Sequence, residues 1–367
     1  MQITVKTTRL LVLLTLLLFY VAFGSAQNPT KQDEDDVIRV DTDLTNLFFT
    51  ATNKEKAFVT TLREEDLRVS EDGVPQKIVT FQRETDRPLS IAFLIDVSIS
   101  EERTLPQEKA AARTFIESVI QSSKDQAAII PFTGSAFLEQ GLTRDVLGIY
   151  RALEGVEVAN PAYLGSGKAI SGIASGPGMK AIPPEGSTAI WDAIALASSE
   201  VLARNSDPGV AKEDFRNRRR DTTTGFVPNQ RRRAIILLTD GYDSTSRLTK
   251  TDAINRALEA ETVIYAIGIG DKKYGGVNRD EVNAVANGTG GRAFFPKRET
   301  DLASAFKEIE QELRSQYLVA YSSTNKNRDG SYREMKVDVV NPDLQKDKLK
   351  LRHRPGYFAK PQQTTSR

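Results

Sequence analysis

Hydrophobic and polar positions change their rhythm twice along the chain. From Val37 the period is two, and Ile38, Val40, Thr42 and Leu44 fall on one strand face. Leu47 to Thr52 and Ala57 to Thr60 are predicted as further strands. Leu67 and Val69 alternate into Glu71-Asp72-Gly73, a turn signal, and Ile78, Thr80 and Phe81 follow. This reads as a hairpin in a small antiparallel unit.

Near Pro88 the rhythm shifts. Leu89 to Ile95 is a continuous apolar run, as expected of a strand buried on both faces of a parallel sheet. Thr104 and Pro106 open a predicted helix with Ala111, Ala112, Phe115, Ile116, Val119 and Ile120 on one face. Strand patterns recur at Ala127 to Phe132, Ala234 to Thr239, Val263 to Ile269 and Ala293 to Phe295. Helical patterns alternate with them at Val146 to Leu153, Thr188 to Ala203, Thr251 to Leu258 and Asp280 to Ala286. Leu302, Phe306, Ile309 and Leu313 line a last helix. This alternation predicts an α/β fold with a doubly wound, mostly parallel sheet.

After Gln316 the period of two returns at Tyr317 to Ser322, Met335 to Val340 and Leu349 to Leu351. The expectation is an α/β domain over 88–316, inserted into a small β domain built from both chain ends, 37–87 and 317–359. A disordered tail is expected over 360–367. Val156 to Pro184 and Asn205 to Gln230 read as long surface insertions, the second carrying Arg216, Arg218, Arg219 and Arg220.

The start of the chain has a different character. Lys6 and Arg9 precede an apolar run from Leu10 to Phe23, and Gly24-Ser25-Ala26 supplies small residues. This predicts a signal peptide over 1–26, with a secreted or periplasmic product beginning near Gln27 and a linker over 27–36. The run, about 14 residues, is shorter than the ~20 a spanning helix needs. No stable membrane span is expected after cleavage, with an uncleaved membrane anchor as the alternative reading.

Composition narrows the chemistry. The chain has 367 residues, no cysteine and one histidine, His353. Disulfides, thiol nucleophiles and Cys-ligated zinc are excluded, and so is any site of several imidazoles. A Ser-His-Asp triad would have to pass through His353, where a surface or packing role is expected instead. Lys+Arg of 50 against Asp+Glu of 49 gives no chain-wide basic footprint, so no nucleic-acid partner is expected. Arg216 to Arg220 and Arg231 to Arg233 read as solvated loop charge.

The donors that remain are oxygens, and they cluster by predicted position. One buried strand ends in Asp96-Val97-Ser98-Ile99-Ser100 and a later one in Thr239-Asp240-Gly241, while Gly186-Ser187-Thr188 opens a helix between them. Ligands of open α/β sheets bind beyond the carboxyl ends of the strands. Asp96, Ser98, Ser100, Thr188 and Asp240 are therefore five hard donors expected at one spot, a set suited to Mg²⁺, with Mn²⁺ or Ca²⁺ as alternatives. Asp192 shares the Thr188 helical face and could support the metal ligands from behind, with helix capping or solvation as the competing reading; Asp243 reads as a solvated loop residue, with contact to a metal-bound water as the alternative. Gly268-Ile269-Gly270 reads as a strand-end turn. Gly165-Ser166-Gly167-Lys168 lacks the rest of a phosphate loop.

Asp-x-Ser-x-Ser, a later Thr and Thr-Asp-Gly, in that order, resemble the metal-ion-dependent adhesion site of von Willebrand factor A domains, over about Pro88 to Gln316. Thr289-Gly290-Gly291-Arg292, the Glu71-Asp72-Gly73-Val74-Pro75 turn and the Arg354-Pro355-Gly356-Tyr357 tail are similar to an exported bacterial subgroup. The resemblance implies direct coordination by Ser98, Ser100 and Thr188, with Asp96 and Asp240 acting mostly through metal-bound water. It implies a binding module, not an enzyme, whose cation captures an acidic residue of a protein partner in adhesion or assembly. A metal-dependent hydrolase and an envelope scaffold with a vestigial site are the competing readings.

Overall fold

The computed structural model describes residues 44–84, 87–158, 168–169, 187–203 and 231–361. The signal peptide, the linker, the strand face at Ile38 to Thr42, most of both insertions and the tail beyond 361 lie outside the described residues.

In chain order the first strands are β1 (Leu44–Thr52), β2 (Leu67–Glu71), β3 (Val74–Gln76) and β4 (Ile78–Glu84). The strand expected to begin at Leu47 starts at Leu44. Ala57 to Thr60 forms only a single bridge, Phe58 to Thr52, rather than a strand. The Asp72-Gly73 turn does form a hairpin, but β2 pairs with β3 and not with the segment at Ile78. Asp72 and Gly73 both hold positive φ, at 49° and 79°. That twist matches hairpin strands and returns the chain at once to β2. β4 leaves for the other sheet.

The parallel sheet is built from β5 (Leu89–Asp96), β6 (Gln126–Phe132), β8 (Gln140–Thr143), β10 (Arg232–Thr239), β11 (Thr262–Gly268) and β12 (Ala293–Phe294). Its order is β12-β11-β10-β5-β6-β8, with only β8 antiparallel. A separate pair joins β7 (Phe137–Leu138) to β9 (Lys168–Ala169).

Side-chain alternation on these strands feeds two cores. Ile91, Phe93 and Ile95 pack with Ile236 and Leu238 against helices Leu105–Val119 and Glu299–Arg314. Ala92 and Leu94 pack with Ile235 and Leu237 against helices Ile190–Leu196, Lys250–Glu259 and Arg279–Gly288. A strand buried on both faces has no polar face to show, which explains its unbroken apolar run. The helix expected over Thr188 to Ala203 starts at Ile190 and widens into a π-helical stretch, Ala197–Leu202.

The chain ends in β13 (Gln316–Ser322), β14 (Tyr332–Val339), β15 (Lys350–His353) and β16 (Gly356–Phe358). These join the first strands in two antiparallel sheets, β15-β1-β13-β4 and β16-β14-β2-β3. One apolar cluster is shared by both, with Leu47, Phe49, Val69, Tyr317, Val319 and Val337 in it. Strands that precede the α/β segment and strands that follow it thus share one β layer. Among the described residues no helix is long and apolar enough to cross a membrane.

Candidate metal centre

Strand order reverses at β5. The chain proceeds from β5 to β6 on one side and later returns to lay β10 on the other. The crevice beyond the carboxyl ends of β5 and β10 is therefore the sheet's switch point. Asp96 is the last residue of β5, and Asp240 follows the last residue of β10. Both are buried.

Asp96 is held from three sides. The Ser98 hydroxyl donates to its Oδ1 at 2.7 Å and the Ser98 amide at 3.0 Å. The Thr239 hydroxyl donates to Oδ2 at 2.7 Å across the β5–β10 pair. Ser100 Oγ lies 3.0 Å from Ser98 Oγ, and its hydrogen bond to Asp240 favours that carboxylate's charged form. Asp240 Oδ1 also accepts from the Tyr242 amide at 3.0 Å.

The turn after Asp240 needs glycine. Gly241 has φ of 84°, and a Cβ there would stand 2.7 Å from Val282 Cγ2 and 2.9 Å from the Asn278 carbonyl.

Thr188 is buried and is fixed through its backbone. Its amide donates to Ser244 Oγ at 2.8 Å, and its carbonyl accepts from the amides of Ser244 and Thr245. The preceding carbonyl, of Ser187, accepts from Thr133 just beyond β6 at 2.6 Å. Thr188 thus sits between the loops that follow β6 and β10. Asp243 accepts from the Ile190 amide at 2.8 Å, at the start of that helix. Asp192 accepts from the Arg247 and Leu248 amides. Both carboxylates strap loops.

Sequence reasoning missed three residues here. Thr239 was read only as part of a motif. Glu101, at the end of the turn Ile99–Glu101, is fully buried. One carboxylate oxygen from each of Asp96, Glu101 and Asp240 lies within 4.8 Å of the others. Glu101 Oε2 accepts from the Thr104 hydroxyl at 2.5 Å, and its Oε1 has no partner among the described residues. Glu108, one helical turn into Leu105–Val119, is also buried. Neither of its oxygens has a hydrogen bond of good geometry, though Thr104 and Glu101 lie near enough to offset part of its burial. A signal for Glu108 was present. Stepping back from Phe115 and Ala112 along the helix's apolar face lands on position 108.

The electrostatics follow from this crowding. Burial first, then the charge of Asp240, pushes the Asp96 carboxyl up to about 7. Burial raises Asp240 as well. Glu101 and Glu108 are both raised, chiefly by burial, with Asp96 and Asp240 adding repulsion. Like charges in a site of low dielectric disfavour ionisation of them all. A hard cation would remove both penalties, because it supplies the opposite charge and uses the unpartnered oxygen. The donor set, all carboxylate and hydroxyl, fits Mg²⁺, Mn²⁺ or Ca²⁺.

His353 takes no part. It pairs in β15 with Phe49, and its Nδ1 lies 2.7 Å from the Arg354 carbonyl.

No family model matches the chain, and no curated protein matches it. Solved structures do. A mussel byssus protein, proximal thread matrix protein 1 with a zinc-occupied MIDAS motif, is similar at 17% identity and a TM-score of 0.45, over 67% of this chain and 50% of that one. The chain thus spans about half the length of that protein. The protein BatB from Bacteroides thetaiotaomicron is similar at 17% identity and a TM-score of 0.41, over 62% of this chain and 100% of that one. A von Willebrand factor type A protein from Catenulispora acidiphila is similar at 12% identity and a TM-score of 0.43, over 88% and 75%.

Proposed function

We propose that this chain is an exported, divalent-cation-dependent protein-binding module. The observation that carries this reading is the convergence of Asp96 and Asp240 at the switch point, with Ser98 and Ser100 bonded to them. Ser98, Ser100 and Thr188 would hold the cation, Mg²⁺ first among the hard divalent ions, together with Asp96 and Asp240. The cation would supply an electrophilic seat for a carboxylate oxygen of a partner. Hydroxyls are neutral donors, so two aspartates alone balance a divalent ion and leave it able to accept a further anion.

The surroundings favour a protein partner. Ile99, Tyr242 and Tyr274 are large apolar side chains exposed beside the site's loops, and the Tyr242 hydroxyl bonds the Gly275 carbonyl at 3.3 Å. Aromatic side chains are enriched at protein interfaces. The role proposed is adhesion or assembly, in which the cation acts as a seat for the partner's carboxylate.

Calorimetric titration of the mature chain with Mg²⁺ tests the cation. Saturable binding that disappears in Asp96→Ala and Asp240→Ala is expected. No binding, or equal binding in both variants, overturns the reading. A pull-down with Mg²⁺ and with EDTA tests the partner, which should be retained only with Mg²⁺.

A further inference from the structure

The hydroxyl-rich motif leaves one seat for an outside carboxylate, yet this chain carries a carboxylate of its own in that crevice. Glu101 follows Ser100 directly, and its ligand oxygen lies within 4.8 Å of those of Asp96 and Asp240. Its Oε1 is buried and accepts no hydrogen bond among the described residues, so it is free to serve a ligand. Buried polar oxygens without partners are rare and need an explanation. Glu108, 1% exposed and close to Glu101 and Thr104, adds a second buried carboxyl.

Counting charge shows what this changes. Asp96 and Asp240 alone would neutralise a divalent ion. Adding Glu101 leaves the loaded site with net charge of about −1, and Glu108 makes its surroundings more negative still. Such a site holds its cation more strongly, because affinity rises with the number of charged ligands. It also repels an incoming carboxylate.

We propose that Glu101 is a ligand of the bound cation and an internal competitor for the partner's carboxylate. This rests on the cation reading above. The site is then closed from within, and a partner gains its seat only by displacing Glu101. Thr104, which donates to Glu101 Oε2, keeps the side chain in place.

The test uses Mn²⁺ as the probe on the mature wild-type chain, Glu101→Gln and Glu101→Ala. Affinity is measured by calorimetry. Inner-sphere water is counted by water-proton relaxation, and acetate access by broadening of its methyl signal. The expected result is a loss of about 10–100-fold in Mn²⁺ affinity in both variants. Glu101→Ala should gain a fast-exchanging water and broaden acetate, while the wild type does neither. Both variants should melt higher than wild type without metal, which separates this outcome from misfolding. Equal affinity and equal relaxation in all three proteins overturn the proposal while leaving the cation reading standing. So does acetate that reaches the wild-type ion as readily. A wild type that binds no Mn²⁺, Mg²⁺ or Ca²⁺ overturns both.

Discussion

Two groups of buried carboxylates in this protein have solved the same problem differently. In the β layer, Glu71 is 2% exposed and every oxygen is used. Its Oε1 accepts from Ser323 at 2.5 Å and from Arg333 at 3.3 Å, and its Oε2 from Tyr321 at 2.8 Å and Tyr357 at 3.0 Å. Arg333 in turn donates to the Asn325 and Asn327 carbonyls. At the end of the parallel sheet, Asp96, Glu101, Glu108 and Asp240 are buried together, and the charges acting on them are one another's. A carboxylate balanced by an internal guanidinium is structure. Carboxylates left to repel one another are a place prepared for a cation from outside.

The contrast breaks most visibly at Arg333. Arg333→Met leaves the buried Glu71 without its guanidinium, and should cost about 3–5 kcal/mol in urea unfolding, with or without Mg²⁺. The opposite sign is expected at the other site. Glu108→Met removes a buried, unsatisfied acid and should raise the stability of the cation-free protein by about 1–3 kcal/mol. Destabilisation there would mean that Glu108 has a structural partner like that of Glu71.

The pH dependence sharpens the comparison next. The folded Asp96 carboxyl is raised to about 7 from 3.8. Between those values the folded chain holds more protons than the unfolded one, so stability falls as pH rises. The EDTA-treated protein should therefore melt lower at pH 8 than at pH 5, by about 2–4 °C for each kcal/mol lost. Saturating Mg²⁺ should remove that slope, because the ion takes the place of the protons. A slope unchanged by Mg²⁺ would separate Asp96 from the cation. The smallest effect is expected at the strap. Asp192→Ala frees the Arg247 and Leu248 amides and should cost about 1 kcal/mol, with cation affinity nearly unchanged. A large loss of affinity would place Asp192 in the site itself.

Much of this was legible in the order of residues. The unbroken apolar runs of β5 and β10 announced strands covered on both faces. The absence of cysteine and the single histidine limited any metal site to oxygen. Asp96, Ser98, Ser100, Thr188 and Asp240 were placed by strand ends and by motif. The hairpin at Asp72-Gly73 was visible, but its partner was not. Pairing β2 with β3 rather than with Ile78 to Phe81 depends on β4 finding β13, more than 230 residues later by the numbering.

The sequence by itself determined the period of each segment and the chemistry of the donors, because both are carried by side chains a few residues apart. Only the tertiary structure decided which acids are buried together. Thr239 reaches Asp96 across 143 residues, and Arg333 reaches Glu71 across 262. Glu101 and Glu108 are ordinary helix-start acids until the sheet, the helix and the Asp240 loop close over them. Burial and repulsion arise from what surrounds a residue, and those surroundings exist only when distant segments meet.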